Sequence, residues 1–191
     1  MKALLYWGGV AILGLLLGLG SVVPGLMLGN PATTLNSGPW VTTLAAGSTD
    51  ADMYTRARVA LFGLLALSKE ETMYYRASSD SAGERLSGDC TYVVEGADLA
   101  AHWWAITAYR LDGFLIPNDA GIYSFARTTV ERGADGRYVV RLSAERQEGN
   151  WLPVKAGDDF DLTARLYNPE ASVYSAPQEA ELPSIVKESC R

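Results

Sequence analysis

Residues 101–118, AHWWAITAYRLDGFLIPN, gather the types from which a reactive site is most readily built: the chain's one histidine, His102, beside Trp103 and Trp104, and then the turn LDG. Imidazole is the commonest metal ligand and general base. A lone histidine falls short of most such sites. Catalytic zinc takes three protein ligands, non-haem iron takes two histidines and a carboxylate, and a serine triad needs a base with its own orienting partner. His102 therefore reads as a hydrogen-bonded residue at the start of a strand, with an enzyme acting through His102 and a nearby carboxylate as the alternative. Trp103 and Trp104 must point to opposite faces of a sheet, so one packs in the core and the other can meet a partner.

The remaining polar motifs have simple structural explanations. Asn118, Asn150 and Asn168 flank prolines and aromatics (IPND, GNWLP, LYNP), where an asparagine side chain closes a turn by bonding nearby backbone. If their loops met at one end of a sandwich they would instead line a polar cleft with Asp119, Trp151 and Arg165. No G-x-S-x-G elbow is present, which leaves a serine nucleophile of that kind without support. Asp158, Asp159 and Asp161 lack calcium-loop spacing and read as a solvated turn entering a strand. The expectation is no catalytic residue, no metal site and no cofactor.

These residues all lie in one part of a two-part chain. Lys2 is the only charged residue before Asp50, so all 22 acidic residues and all but one of the 16 basic ones lie beyond it. Such an acidic segment is a poor match to phosphate backbones, and no P-loop or basic stripe is present, so nucleic acid is not an expected partner. Residues 3–23, ALLYWGGVAILGLLLGLGSVV, are uncharged, and at 1.5 Å per residue they match a hydrocarbon core of about 30 Å. Residues 1–23 are thus expected to be a transmembrane anchor that stops at Pro24 and Gly25, with Lys2 holding the N-terminus in the cytoplasm. A cleaved signal peptide is the rival, but it has a shorter apolar run and a small-x-small cleavage site. Gly14 and Gly18, with Gly25 beyond them, are spaced to let another helix approach closely.

Residues 24–49 turn to Gly, Pro, Ser, Thr and Asn and read as a linker, or as an uncharged strap that lies on a surface through Trp40, Val41 and Leu44. From Asp50 onward, Met53, Ala57, Ala60, Leu61, Leu64 and Leu65 follow helical spacing, capped by Asp50 and Asp52, which predicts one amphipathic helix ending near Leu67. Strands are predicted at 72–77, 91–95, 103–109, 122–128, 138–144 and 160–166. The last alternates most cleanly, with Phe160, Leu162, Ala164 and Leu166 on one face. The turns between them (SAGERLSG, LDG, ADG, AGDD) supply the glycine and aspartate that tight connections need. Helix and strands make residues 50–191 an α+β or mainly-β sandwich. Cys90 and Cys190 read as a disulfide in an oxidising periplasm, the alternative being two free thiols.

In sequence order, DSAGERLSGDCTYVV, WWAITAYRLDGFLIPN, YSF, NWLP and LTARLYNP resemble the domain of unknown function 1214 family, over about Thr72 to Pro169. The tail from LPSI to Cys190 resembles the short membrane-anchored bacterial members. The resemblance implies a jelly-roll-like antiparallel β-sandwich, a Gram-negative source, and a chain lacking the domain of unknown function 1254 carried by longer relatives. It supplies no catalytic residues.

These readings combine into an expectation of a single-pass inner-membrane protein whose periplasmic β-sandwich is an accessory or stabilising subunit of a larger complex, respiratory or photosynthetic. Its partners would be lipid and an integral membrane protein, with Trp40, Trp103, Trp104 and Trp151 as interface anchors. The alternative is a periplasmic ligand- or carbohydrate-binding module whose aromatics stack on sugars.

Overall fold

A computed structural model of the chain describes residues 2–28, 33–61 and 66–191. Helix α1 (Lys2–Leu28) opens the chain, and Leu5–Leu26 within it is long and apolar enough to cross a membrane. The helix does not stop at Pro24. Proline removes one main-chain donor, but the apolar turn beyond it stays helical.

The expected linker is ordered in its middle. β1 (Thr34–Ser37) and β2 (Trp40–Thr43) form a hairpin closed by Gly38 and Pro39, with Gly38 in the left-handed region that the tight turn requires. Val41 pairs with Arg76 and joins the hairpin to the large sheet. Residues 29–32 lie outside the described residues.

Helix α2 is described over Met53–Leu61, and residues 62–65, with Leu64 and Leu65 of the predicted helix, fall outside the described residues. Asp52 caps it: Oδ1 accepts the amides of Tyr54 and Thr55 at 2.9 and 3.0 Å, and Oδ2 accepts the Thr55 hydroxyl at 2.7 Å. Its apolar stripe faces outward. Thr55 is the buried residue, whereas Met53 and Leu61 are 76% and 67% exposed.

The six predicted strands all form, as β3 (Thr72–Ala77), β4 (Cys90–Gly96), β5 (Ala101–Arg110), β6 (Ser124–Ala126), β7 (Tyr138–Ser143) and β9 (Phe160–Pro169). Two more were not foreseen, β8 (Asn150–Pro153) and β10 (Ser184–Cys190). The chain is mainly β. One sheet has six strands in the order β1-β2-β3-β9-β5-β6 and the other four, β10-β4-β7-β8. Pairings are antiparallel apart from β7 with β8, which is parallel. A short helix α3 (Ala171–Ser175) and a 3-10 turn (Pro177–Glu179) lead from β9 to β10.

The two sheets share one core, which makes the domain a sandwich. The large sheet contributes Met73, Tyr75, Trp104, Ile106, Leu162 and Ala164, and the small one Tyr92, Val94, Tyr138, Val140, Leu142 and Ile185. Burying a large apolar side chain of this kind stabilises by about 1.5–3 kcal/mol, so the core outweighs any surface contact. At the edge of the small sheet Cys90 and Cys190 stand opposite each other in register and form a disulfide.

Candidate functional site

Asp98 sits in the short loop between β4 and β5, which buried Leu99 pins to the core. Its Oδ1 accepts the indole N–H of Trp104 at 2.6 Å and Nη2 of Arg132 at 3.2 Å. Its Oδ2 meets Nη2 of Arg127 at 2.8 Å. Both arginines are held by further contacts. Arg127 also donates to the main-chain oxygens of Ala101 and His102 at 3.2 and 2.7 Å. The Arg132 guanidinium lies 5.8 and 5.9 Å from the ring centres of Trp104 and Tyr138, whose own rings are 5.0 Å apart.

Burial by itself would raise the Asp98 carboxyl, but the Trp104 indole and the two guanidiniums outweigh it and hold the group below the usual carboxylate range. Asp98 is therefore ionised at neutral pH and saturated with donors. With its carboxylate held by three donors, the cluster clamps the β4–β5 loop onto the β6–β7 connection. Beside it opens a cleft of about 410 Å³ that includes Asp98, Leu166, Ser172, Val173, Glu179 and Glu181 in its walls.

The structure does not gather the sequence-predicted residues. His102 is exposed at the start of β5, and among the described residues no carboxylate pairs with its imidazole. Trp104 and Trp40 are corrections to the proposed interface set: they are 0% and 1% exposed and belong to the core. Each indole N–H is satisfied inside, Trp104 by Asp98 and Trp40 by the main-chain oxygen of Pro183 at 2.8 Å.

Trp103 is half-buried on the outer face of the large sheet, its ring 5.3 Å from that of Tyr167. Trp151 is half-buried on β8 and donates to the Ser143 carbonyl at 2.9 Å. With these two on different sheets and Trp40 and Trp104 in the core, the four tryptophans line no common concavity.

Asn118 closes a turn, whereas Asn150 bridges β8 to the distant Glu131 segment. Asn118 Nδ2 donates to the carbonyls of Ile116 and Ile122 at 3.1 and 3.0 Å, and Asn150 bonds both main-chain groups of Glu131 at 2.8 Å. Asn168 alone among the described non-glycine residues has positive φ, 45°. Pairing of Ala101 with Pro169 and of Arg110 with Phe160 places Asn168 and the Asn118 loop at opposite ends of β5, so no joint cleft forms. The carboxylates of GDDFD form ion pairs, Asp158 with Lys155, Asp159 with Arg85 and Asp161 with Arg76 through Oδ2, while the buried Asp161 Oδ1 has no hydrogen-bond partner. No group of His, Cys, Asp or Glu that could hold a metal ion occurs among the described residues. Gly14 and Gly18 are exposed, and a Cβ on either would meet nothing within 4 Å.

A two-sheet sandwich with a clamped β4–β5 loop, joined to an apolar helix, is thus the class of protein defined here. The family model "Protein of unknown function (DUF1214)" matches residues 71–171, just over half of the chain, and the chain belongs to that family. No curated protein matches it. The crystal structure of the VPA0106 protein from Vibrio parahaemolyticus is similar over 90% of this chain and 43% of its own, with 24% identity and a TM-score of 0.63. An uncharacterized protein from Burkholderia cenocepacia is similar over 63% of this chain and 30% of its own, with 18% identity and a TM-score of 0.44. The chain spans less than half the length of either solved structure. The first of these likenesses establishes the fold alone.

Proposed function

We propose that the protein is a single-pass inner-membrane protein whose β-sandwich stands in the periplasm as an accessory or stabilising subunit of a larger membrane assembly. One observation carries this reading. Helix α1 leaves its described apolar side chains from Leu5 to Val22 uncovered, and Gly14 and Gly18 leave a bare strip on it that no other part of the described chain approaches. A lipid layer and a neighbouring helix are what such a surface fits. The disulfide supports an oxidising compartment for the sandwich, and Lys2 supports a cytoplasmic N-terminus. The scattered tryptophans take away the stacking platform that a sugar-binding module would use.

Mild detergent extraction of the native membrane followed by native electrophoresis tests the proposal. The expected result is migration in a complex well above 20.6 kDa, with Gly14→Leu and Gly18→Leu releasing the protein from it. Migration as a lone monomer, with no co-migrating protein, overturns it.

A further inference from the structure

The apolar stripe of α2 points away from the sandwich. At 3.6 residues per turn Met53, Ala57, Ala60 and Leu61 fall within about 100° of the helix circumference. Met53, Ala60 and Leu61 are exposed, while the residue turned inward is polar Thr55. A helix on a water-facing surface has the reverse arrangement.

What lies against this stripe is indicated by the neighbour of α2. The Tyr54 ring sits directly against Gly25 near the end of α1, so closely that a Cβ there would lie 2.7 Å from Tyr54 Cδ1. Glycine at 25 is what permits the approach. The first turn of α2 is thereby fixed where α1 would leave the hydrocarbon. The Arg56 guanidinium, on the flank of the stripe, is turned back onto the main-chain oxygens of Thr49 and Ala51 at 2.6 and 2.9 Å, which leaves the stripe itself uncharged.

We infer that α2 is an interfacial helix, lying in the plane of the membrane surface with Met53, Ala57, Ala60 and Leu61 in the acyl layer. The occupant of the stripe is the lipid of the bilayer that α1 crosses. The inference rests on the reading of α1 as a membrane span. It adds a second attachment, which fixes the tilt and height of the sandwich above the membrane where a single flexible tether would not.

Full-length protein with its native disulfide intact, carrying Met53→Cys, Leu61→Cys, Leu13→Cys or Asp135→Cys one at a time, is spin-labelled and reconstituted in phosphatidylethanolamine–phosphatidylglycerol vesicles. Collision rates with oxygen and with a water-soluble nickel chelate are then measured. All four positions are exposed in the folded chain, so the label displaces no core contact. The expected oxygen-to-chelate ratio at positions 53 and 61 is several-fold above that at 135 and below or equal to that at 13. If 53 and 61 behave like 135 while 13 is in lipid, the membrane span stands and the interfacial helix is overturned. If 13 itself behaves like 135, the span has failed and this inference with it. Shielding of 53 and 61 from both reagents would mean that protein covers the stripe, which also overturns it.

Discussion

The indole N–H of Trp104 donates to Oδ1 of Asp98 across 2.6 Å, joining a core side chain to a half-exposed carboxylate that two arginines also hold. Trp104 cannot leave the core, so Asp98 is positioned by it, and Arg127 and Arg132 are positioned by Asp98. Hydrogen bonds to an ionised group contribute about 1.5–3 kcal/mol, and partial exposure of Asp98 reduces this. Asp98→Asn is expected to destabilise the protein by about 1–2 kcal/mol at neutral pH, read as a lower urea midpoint with an unchanged slope.

The pH dependence follows from the direction of the Asp98 shift. Its folded-state carboxyl is held below the ordinary range, so its contribution is complete above the unfolded value of about 3.9 and is lost as pH falls through the folded one. The stability gap between the wild-type protein and Asp98→Asn should therefore narrow only in acid. A gap that closes already near neutral pH would remove the ionised clamp.

Trp40 ties the β1–β2 hairpin to the sandwich through its burial and its bond to Pro183, and Ser37 Oγ adds a bond to the Ala180 carbonyl at 2.9 Å. Truncating a buried aromatic costs about 3–5 kcal/mol. Trp40→Ala should cost that much and make residues 34–43 the first site of limited proteolysis. Unchanged protease resistance there would show that the hairpin is held by other contacts.

Much of the sandwich was legible because its strands alternate. Phe160, Leu162, Ala164 and Leu166 do share the buried face, as the period of two requires. The unforeseen elements carry weak or misleading local signals. In β10 only Ile185 is buried, and its charged and polar neighbours do not read as a strand; the strand is defined by its partner β4. In 34–43 the Gly38–Pro39 pair looks like a breaker, yet it is the turn of a hairpin. The Asp98 cluster was invisible because Arg127 and Arg132 are brought to it by the fold from distant sequence. The nearest local hint was the Asp98 to Trp104 spacing, which His102 overshadowed. Periodicity also found the α2 stripe without telling which way it faces.

The disulfide closes a separation of 100 residues, for which the chain-entropy model gives about 4–5 kcal/mol. It also holds the end of β10, whose approach at Ala180 and Pro183 supplies acceptors for the β1–β2 hairpin. Cys90→Ser with Cys190→Ser should lower stability by about 2–5 kcal/mol and speed amide hydrogen exchange in both 184–190 and 34–43. Faster exchange confined to 184–190 would separate the two elements.

Alkaline titration offers the last check, on the core. Burial pushes the Tyr75 phenol up to about 12, and burial likewise raises Tyr138, whose hydroxyl has no hydrogen-bond partner; the nearby Asp98 charge adds to this and Arg132 opposes it. Both phenols stay protonated in the fold while an unfolded chain would ionise near pH 10, so the unfolded state binds fewer protons there and stability falls as pH rises above that value. Tyr138→Phe removes the uncompensated hydroxyl along with the titration. It should leave neutral stability equal or higher and flatten the alkaline decline, measured as the urea midpoint from pH 8 to 11. A decline as steep as in the wild-type protein would assign the effect to other groups, and a large loss at neutral pH would mean that the Tyr138 hydroxyl has a partner in solution.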